Sequence, residues 1–108
     1  RNYEFFGAPV ELFLFTHKSL GKFAASDAGL FMQNLMLSAH SKGLGTCAQG
    51  SVAVWEDAVR NEFKISKNYS LLCGICVGYP SQSQVNKFEA NRISPSEIIL
   101  QRRVNSNQ

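Results

Sequence analysis

Residues 26–42, "SDAGLFMQNLMLSAHSK", constrain the fold more than any other stretch of this chain. Ser26 has the side chain of an N-cap, Asp27 puts an anion in the first turn, and Gly43 supplies a stop, so the pattern predicts a helix from Ser26 to about Lys42. At about 100° per residue, Ala28, Phe31, Met32, Leu35, Met36 and Ala39 share one broad apolar arc. Leu30 and Leu37 sit together on the opposite side, with Gln33 and His40 along one flank and Asn34 and Ser41 along the other. A helix with two apolar faces needs two covers. One is the chain's own sheet. A chain of 108 residues has little left to supply the second, so a partner is expected, most simply a second copy. The plainer alternative leaves Leu30 and Leu37 as ordinary exposed leucines.

The remaining elements follow from local pattern. Arg1 to Phe6 read as the last turn of a helix ended by Gly7 and Pro9. "VELFLFT", Val10 to Thr16, alternates Leu12 and Leu14 with Phe13 and Phe15, so both faces are apolar and the strand is expected inside a sheet covered on both sides. Residues 17–26 read as a loop. "GLGTCAQG" is a tight small-residue segment, followed by a helix from about Val54 to Phe63. In that helix Val52, Trp55, Val59 and Phe63 make an apolar stripe, with Trp55 as a core anchor. "SLLCGICVGY" is a strand ended by Pro80. "SQSQVNKFEAN" is a polar loop, and "SPSEIILQRRV" is a turn followed by an extended apolar run. Alternating strands and helices predict one layered α/β or α+β domain.

Composition narrows the function classes. A hydrophobic fraction of 44% with 11% aromatics marks a folded chain. The net charge of +3 is dispersed, with no basic stripe of the kind nucleic-acid binders carry; a small anionic ligand suits it as well. Apolar runs are too short to cross a bilayer, and no targeting segment is visible. Three cysteines without framework spacing favour a reducing, cytoplasmic setting. Because the chain opens on Arg1 and not on Met, it reads as the middle of a protein.

The motif that draws the eye first is Cys73-Gly-Ile-Cys76. A redox C-x-x-C works with its first cysteine at a helix N-terminus. Here the flanks are those of a strand, so positions three apart point to opposite faces and their sulfurs diverge. Leu71, Cys73, Ile75 and Val77 make one apolar face, while Leu72, Gly74, Cys76 and Gly78 make a mostly small one that admits a close neighbour. His17, His40 and the cysteines lack metal-ligand spacing. No nucleophile, base and acid set is apparent, and "GLGTCAQG" matches neither nucleotide fingerprint. That segment has two readings. Its backbone N–H groups suit a planar heteroaromatic ligand, or it is a plain helix-to-strand turn with a glycine stop.

In order and spacing, "FFGAPV", "DAGLFMQNLMLSAHSKGLGTCAQG", "LLCGICVGYP" and "VNKFEANRISPSEII" resemble the C-terminal half of the FMN-dependent nitroreductase family, from about Phe5 to Ile99. The resemblance implies an α+β fold, a mostly antiparallel sheet flanked by helices, with a long helix buried in a homodimer interface. It implies FMN at that interface, NAD(P)H as hydride donor, and a small-molecule acceptor such as a nitroaromatic or quinone, reduced in a ping-pong cycle. It implies no nucleic-acid or membrane partner. By position, Ala48, Gln49 and Gly50 offer backbone amides to the flavin, with Cys47 against the ring. Arg92 is placed to pair with the phosphate, and Lys87 is a second candidate. No side chain is singled out as catalytic, because the flavin carries the chemistry. On this resemblance residues 1–108 are the C-terminal portion of a single domain whose N-terminal half is absent, with "EIILQRRV" able to add a strand to a partner's sheet. The alternative is a truncated, catalytically silent relative that serves as a dimerising or interaction module.

Overall fold

The computed structural model describes residues 2–104. In chain order the main elements are β1 (Val10–His17), α1 (Gly21–Ser41), β2 (Gly45–Gln49), α2 (Glu56–Glu62), β3 (Tyr69–Gly78) and a single turn, α3 (Pro95–Ile98). The strands form one antiparallel sheet in the order β1-β3-β2. The long apolar β3 is therefore central, and Ile75 at its middle is 0% exposed. Burying a side chain of that size contributes roughly 1.5–3 kcal/mol.

Helices cover both faces of the sheet. On one, α1 lies along the strands, with Ala24 buried and Met32 Sδ 3.5 Å from Cys73 Sγ. On the other, Val52, Val59 and Leu71 make a buried cluster, with Phe13, Phe15 and Ile65 packed against it. Phe13 also meets Phe5 and Phe63 at centroid distances of 6.1 and 6.0 Å. An ion pair joins the helix of this second layer to the sheet. Arg60 Nε donates to Glu56 Oε2 at 2.8 Å, and the Leu71 amide donates to Glu56 Oε1 at 3.1 Å. The Arg60 guanidinium also donates to the carbonyls of Ile65, Ser66 and Tyr69.

Several expectations change. α1 begins at Gly21, five residues before Ser26, because "KFAAS" is helix-compatible and Ala24 continues the inner stripe by one turn. Ser26 is therefore an interior residue. β1 is covered on both faces but lies at the sheet edge, since two-sided apolarity reports the layers above and below and not the neighbours alongside. Trp55 is 49% exposed and caps α2 from the end of a 3₁₀ stretch, Gly50–Trp55; that stretch breaks the helical period, so Val52 and Val59 are buried and Trp55 is not. A register shift between Leu14 and Phe15 puts Leu71 opposite Phe15 and Cys73 opposite Leu14. This bulge moves Leu71 into the Val52–Val59 cluster, on the face opposite Cys73. The first residues are 3₁₀ turns over Asn2–Gly7 in which Phe5, Phe6 and Gly7 take positive φ, so the predicted helical end is tighter and more irregular than expected.

Beyond Pro80 the chain leaves the sheet. The hydrogen bonds of residues 81–104 among the described residues are local, such as Asn86 Nδ2 to the Ser81 carbonyl at 3.0 Å. The radius of gyration is 18.5 Å, against about 13 Å for a compact chain of this length.

Candidate functional site

The segment "GLGTCAQG" begins as a turn and becomes a strand. Gly43 takes φ 78°, and the amides of Lys42, Gly43 and Leu44 satisfy the last carbonyls of α1. The chain then enters β2, which pairs with β3 along one side only. Both readings of the segment thus hold in part: a glycine stop, then an edge strand. An edge strand keeps alternate N–H and C=O groups turned away from its neighbour. Along β2, Cys47 and Ala48 are exposed and Gln49 is 2% exposed. Gly50 opens the following 3₁₀ turn with nothing within 4 Å of where a Cβ would stand. Alternate backbone donors of β2 therefore face outward from the sheet, next to a position with no side chain to block approach. This suits a flat ligand edge.

The face of the sheet that carries Cys47 also carries a group that sequence reading missed. Glu11 lies opposite Cys76 in the β1–β3 register. A Cβ on Gly74 would stand where the end of that carboxylate now lies, so glycine there leaves the flexible Glu11 side chain room on this face. Burial pushes the Glu11 carboxyl up. The sequence signal was a single acid inside the apolar run "VELFLFT". Gly78 has a similar reason, since a Cβ would come 2.8 Å from Pro9 Cδ. The small strand face was expected from sequence; its occupants, a carboxylate and a proline, were not.

Cys73 and Cys76 point to opposite faces, as the strand argument requires. Cys73 meets Met32 of α1, while Cys76 lies opposite Cys47 of β2. All three cysteines are free thiols, and burial pushes those of Cys73 and Cys76 up. Among the described residues no three His, Cys, Asp or Glu side chains gather in a metal-binding group. No helix of the described residues is long and apolar enough to cross a membrane.

Lys87 and Arg92 lie on the exposed segment after Pro80. Lys87 ends a 3₁₀ turn, Gln84–Lys87, and Arg92 Nη1 donates to the carbonyls of Ala90 and Asn91 at 3.0 and 3.4 Å. Among the described residues no hydrogen bond or ion pair joins either to residues 47–50. Within one chain, then, the six predicted residues fall into two sets: Cys47, Ala48, Gln49 and Gly50 together on β2 and its exit, and the two cations apart on the arm.

The sequence of residues 1–79 matches the model of the nitroreductase family. The chain belongs to the nitroreductase family. A 4-nitrobenzoate reductase of Pseudomonas putida is 38% identical over 82 residues, which is 76% of this chain and 36% of that enzyme. Two solved structures agree with the fold. The FMN- and NADPH-dependent nitroreductase NfnB from sphigopyxis sp. strain HMH superposes with a TM-score of 0.86 at 31% identity, over 95% of this chain and 47% of that one. The FMN-dependent nitroreductase NfnB from Mycobacterium smegmatis, solved in complex with NADPH, gives 0.84 at 33% identity, over 94% and 47%. The sheet and long helix described above are thus a part of the nitroreductase fold. The chain spans between about a third and a half of the length of these nitroreductases.

Proposed function

We propose that this chain is the C-terminal portion of an FMN-dependent oxidoreductase that takes reducing equivalents from NAD(P)H and passes them to nitroaromatics, quinones or similar acceptors in a ping-pong cycle, as a cytoplasmic homodimer. One observation carries the reading. The edge strand β2, with Cys47 and Ala48 exposed and Gly50 open beside it, presents backbone donors at the sheet border of a fold that matches FMN-dependent nitroreductases. Whichever of the adjacent Ala48 and Gln49 amides faces away from β3, together with that of Gly50, would hold the polar edge of the flavin ring, with Cys47 beside it. The flavin, when bound, supplies the hydride chemistry. The chain's own contribution is to orient the ring through fixed backbone groups, which cost no side-chain reorganisation, and to exclude water from one side with the sheet.

The phosphate contact needs a second step. Arg92 and Lys87 sit on the arm, so their part in binding rests on where the arm lies in an assembly of two copies. The same observation favours the alternative reading, a catalytically silent relative whose exposed apolar surfaces serve assembly: Leu30 and Leu37 on α1 are exposed, as are Ile98, Ile99 and Leu100 on the arm.

A spectrum separates the two. Titrated with FMN and then desalted, the whole protein of which this chain is the C-terminal portion is expected to keep flavin absorption at about 370 and 450 nm and to be bleached by NADPH or NADH, whereas this chain by itself is expected to bind FMN weakly or not at all. Retained flavin that neither nucleotide bleaches contradicts the oxidoreductase reading, and a protein that stays colourless supports the assembly module.

A further inference from the structure

Cys47 and Cys76 are directly opposed Cα partners on the antiparallel strands β2 and β3. In antiparallel pairs such partners are about 4.5–5.5 Å apart at Cα, within the span a disulfide bridges. As opposed partners in the register, both side chains leave the sheet on one face, and Cys47 Sγ also lies 3.7 Å from the Ala48 carbonyl. Their surroundings differ. Cys47 is exposed on the edge strand, whereas Cys76 is 5% exposed on the central one. Of the three cysteines, Cys73 takes no part, because it points through the other face onto Met32.

An accessible thiol directly opposite a sheltered one on the neighbouring strand is the arrangement of a peroxidatic and resolving pair. We propose that Cys47 and Cys76 form a reversible cross-strand disulfide when the protein meets hydrogen peroxide. The Cys47 thiolate attacks one peroxide oxygen: an S–O bond forms, the O–O bond breaks, and hydroxide leaves to take up the thiol proton as water. The Cys76 sulfur then attacks the Cys47 sulfur. The S–S bond forms, the S–O bond breaks, and the oxygen departs with the Cys76 proton as a second water. Two thiols are oxidised by two electrons and one peroxide is reduced to two waters. A bridge between directly opposed antiparallel residues is held at or below the Cα spacing most disulfides take, about 5.5–6 Å, and one of its ends, Cys47, is exposed, which places it among the readily reduced, regulatory kind. The bridge would tie the edge strand β2 to the sheet centre at the residue before Ala48. The inference stands on the register and on burial, and it applies to the flavin-free chain, in which Cys47 is exposed.

The test is peptide mapping of the full chain after treatment with hydrogen peroxide, without reducing agent. The expected product is one linked pair, Cys47 with Cys76, that thiol reductant reverses completely. In Cys76→Ala the reaction stops earlier, and Cys47 is captured as its sulfenic acid by a dimedone-type probe in yields at least several-fold above the parent. Cys73→Ala leaves the linkage unchanged. The proposal is overturned if the parent and Cys76→Ala accumulate the same sulfenic or sulfinic acid at Cys47, if Cys73 enters the linkage, or if all three thiols stay reduced while an exposed methionine oxidises.

Discussion

At the scale of single residues, the informative positions are those where one more atom has nowhere to go. Gly78 ends β3 against the ring of Pro9, and a methyl group there would stand 2.8 Å from Pro9 Cδ. A proline ring does not swing aside, so Gly78→Ala should cost roughly 1–3 kcal/mol through backbone displacement. Gly29 is the contrasting case. It lies in the interior of α1 with open space around it, so Gly29→Ala should add about 0.5–1 kcal/mol through helix propensity. Urea midpoints of the two variants should move in opposite directions from the parent. Glu56 gives a prediction with a pH sign. The Arg60 hydrogen bond, with the Leu71 amide behind it, holds its carboxyl below the usual carboxylate range. A depressed folded-state value means stability that is fully present above the ordinary carboxylate pKa and is lost as pH falls through the lowered one. Glu56→Gln should therefore cost about 1–2 kcal/mol at neutral pH, reduced by the partial exposure of the pair. Its stability should then vary less with pH than the parent's across that acidic window, as denaturation curves at stepped pH would show.

At the scale of elements, what could be read from sequence was whatever depends on period and punctuation. β1 and β3 fall within a residue or so of their expected spans, because alternation and Pro80 are local signals. Most of the inner arc of α1 was legible for the same reason: Ala28, Met32, Leu35, Met36 and Ala39 are half-buried as the angle count requires, but Phe31, placed on the same arc, is 56% exposed at its margin. The start of α1 was not. Ser26 looks like a cap, but tertiary burial of Ala24 favours helix through it and outweighs the capping preference. β2 was missed because a five-residue strand of Gly, Thr, Cys, Ala and Gln has almost no strand signal of its own; its conformation is set by the partner strand. The same cause hid the Cys47–Cys76 pair, since register between strands thirty residues apart is not written in either one. The helix boundary can be tested directly. If Ser26 capped α1, Ser26→Ala would cost about 1 kcal/mol. As an interior helical residue it should instead leave the unfolding midpoint unchanged or raise it by a few tenths of a kcal/mol.

At the scale of the whole molecule, the extents of 63 × 40 × 23 Å describe a layered body with an arm. The arm is not polar in the manner of a solvated tail. Tyr79, Val85, Phe88, Ile93, Ile98, Ile99 and Val104 are all exposed, and Leu100 is 92% exposed. Its hydrogen bonds are local, so the sheet and its two helical layers do not depend on it. Apolar side chains spaced along an extended segment, beside a helix that shows Leu30 and Leu37 to solvent, are the two halves of one unmet demand for cover. Under the proposed homodimer a second copy would meet both, the arm of each chain lying on the body of the other in an isologous pair. On this reading the arm contributes to assembly and not to the stability of the layers. A chain ended after Pro80 should keep the far-ultraviolet circular dichroism of α1 and the sheet, and in dilute solution, where association contributes little, its urea midpoint should match the parent's. Its mass by light scattering should fall from that of a pair to that of a single chain. A truncated chain that remains paired would locate the interface on α1 alone, and one that loses its circular dichroism would show that the layers need the arm after all.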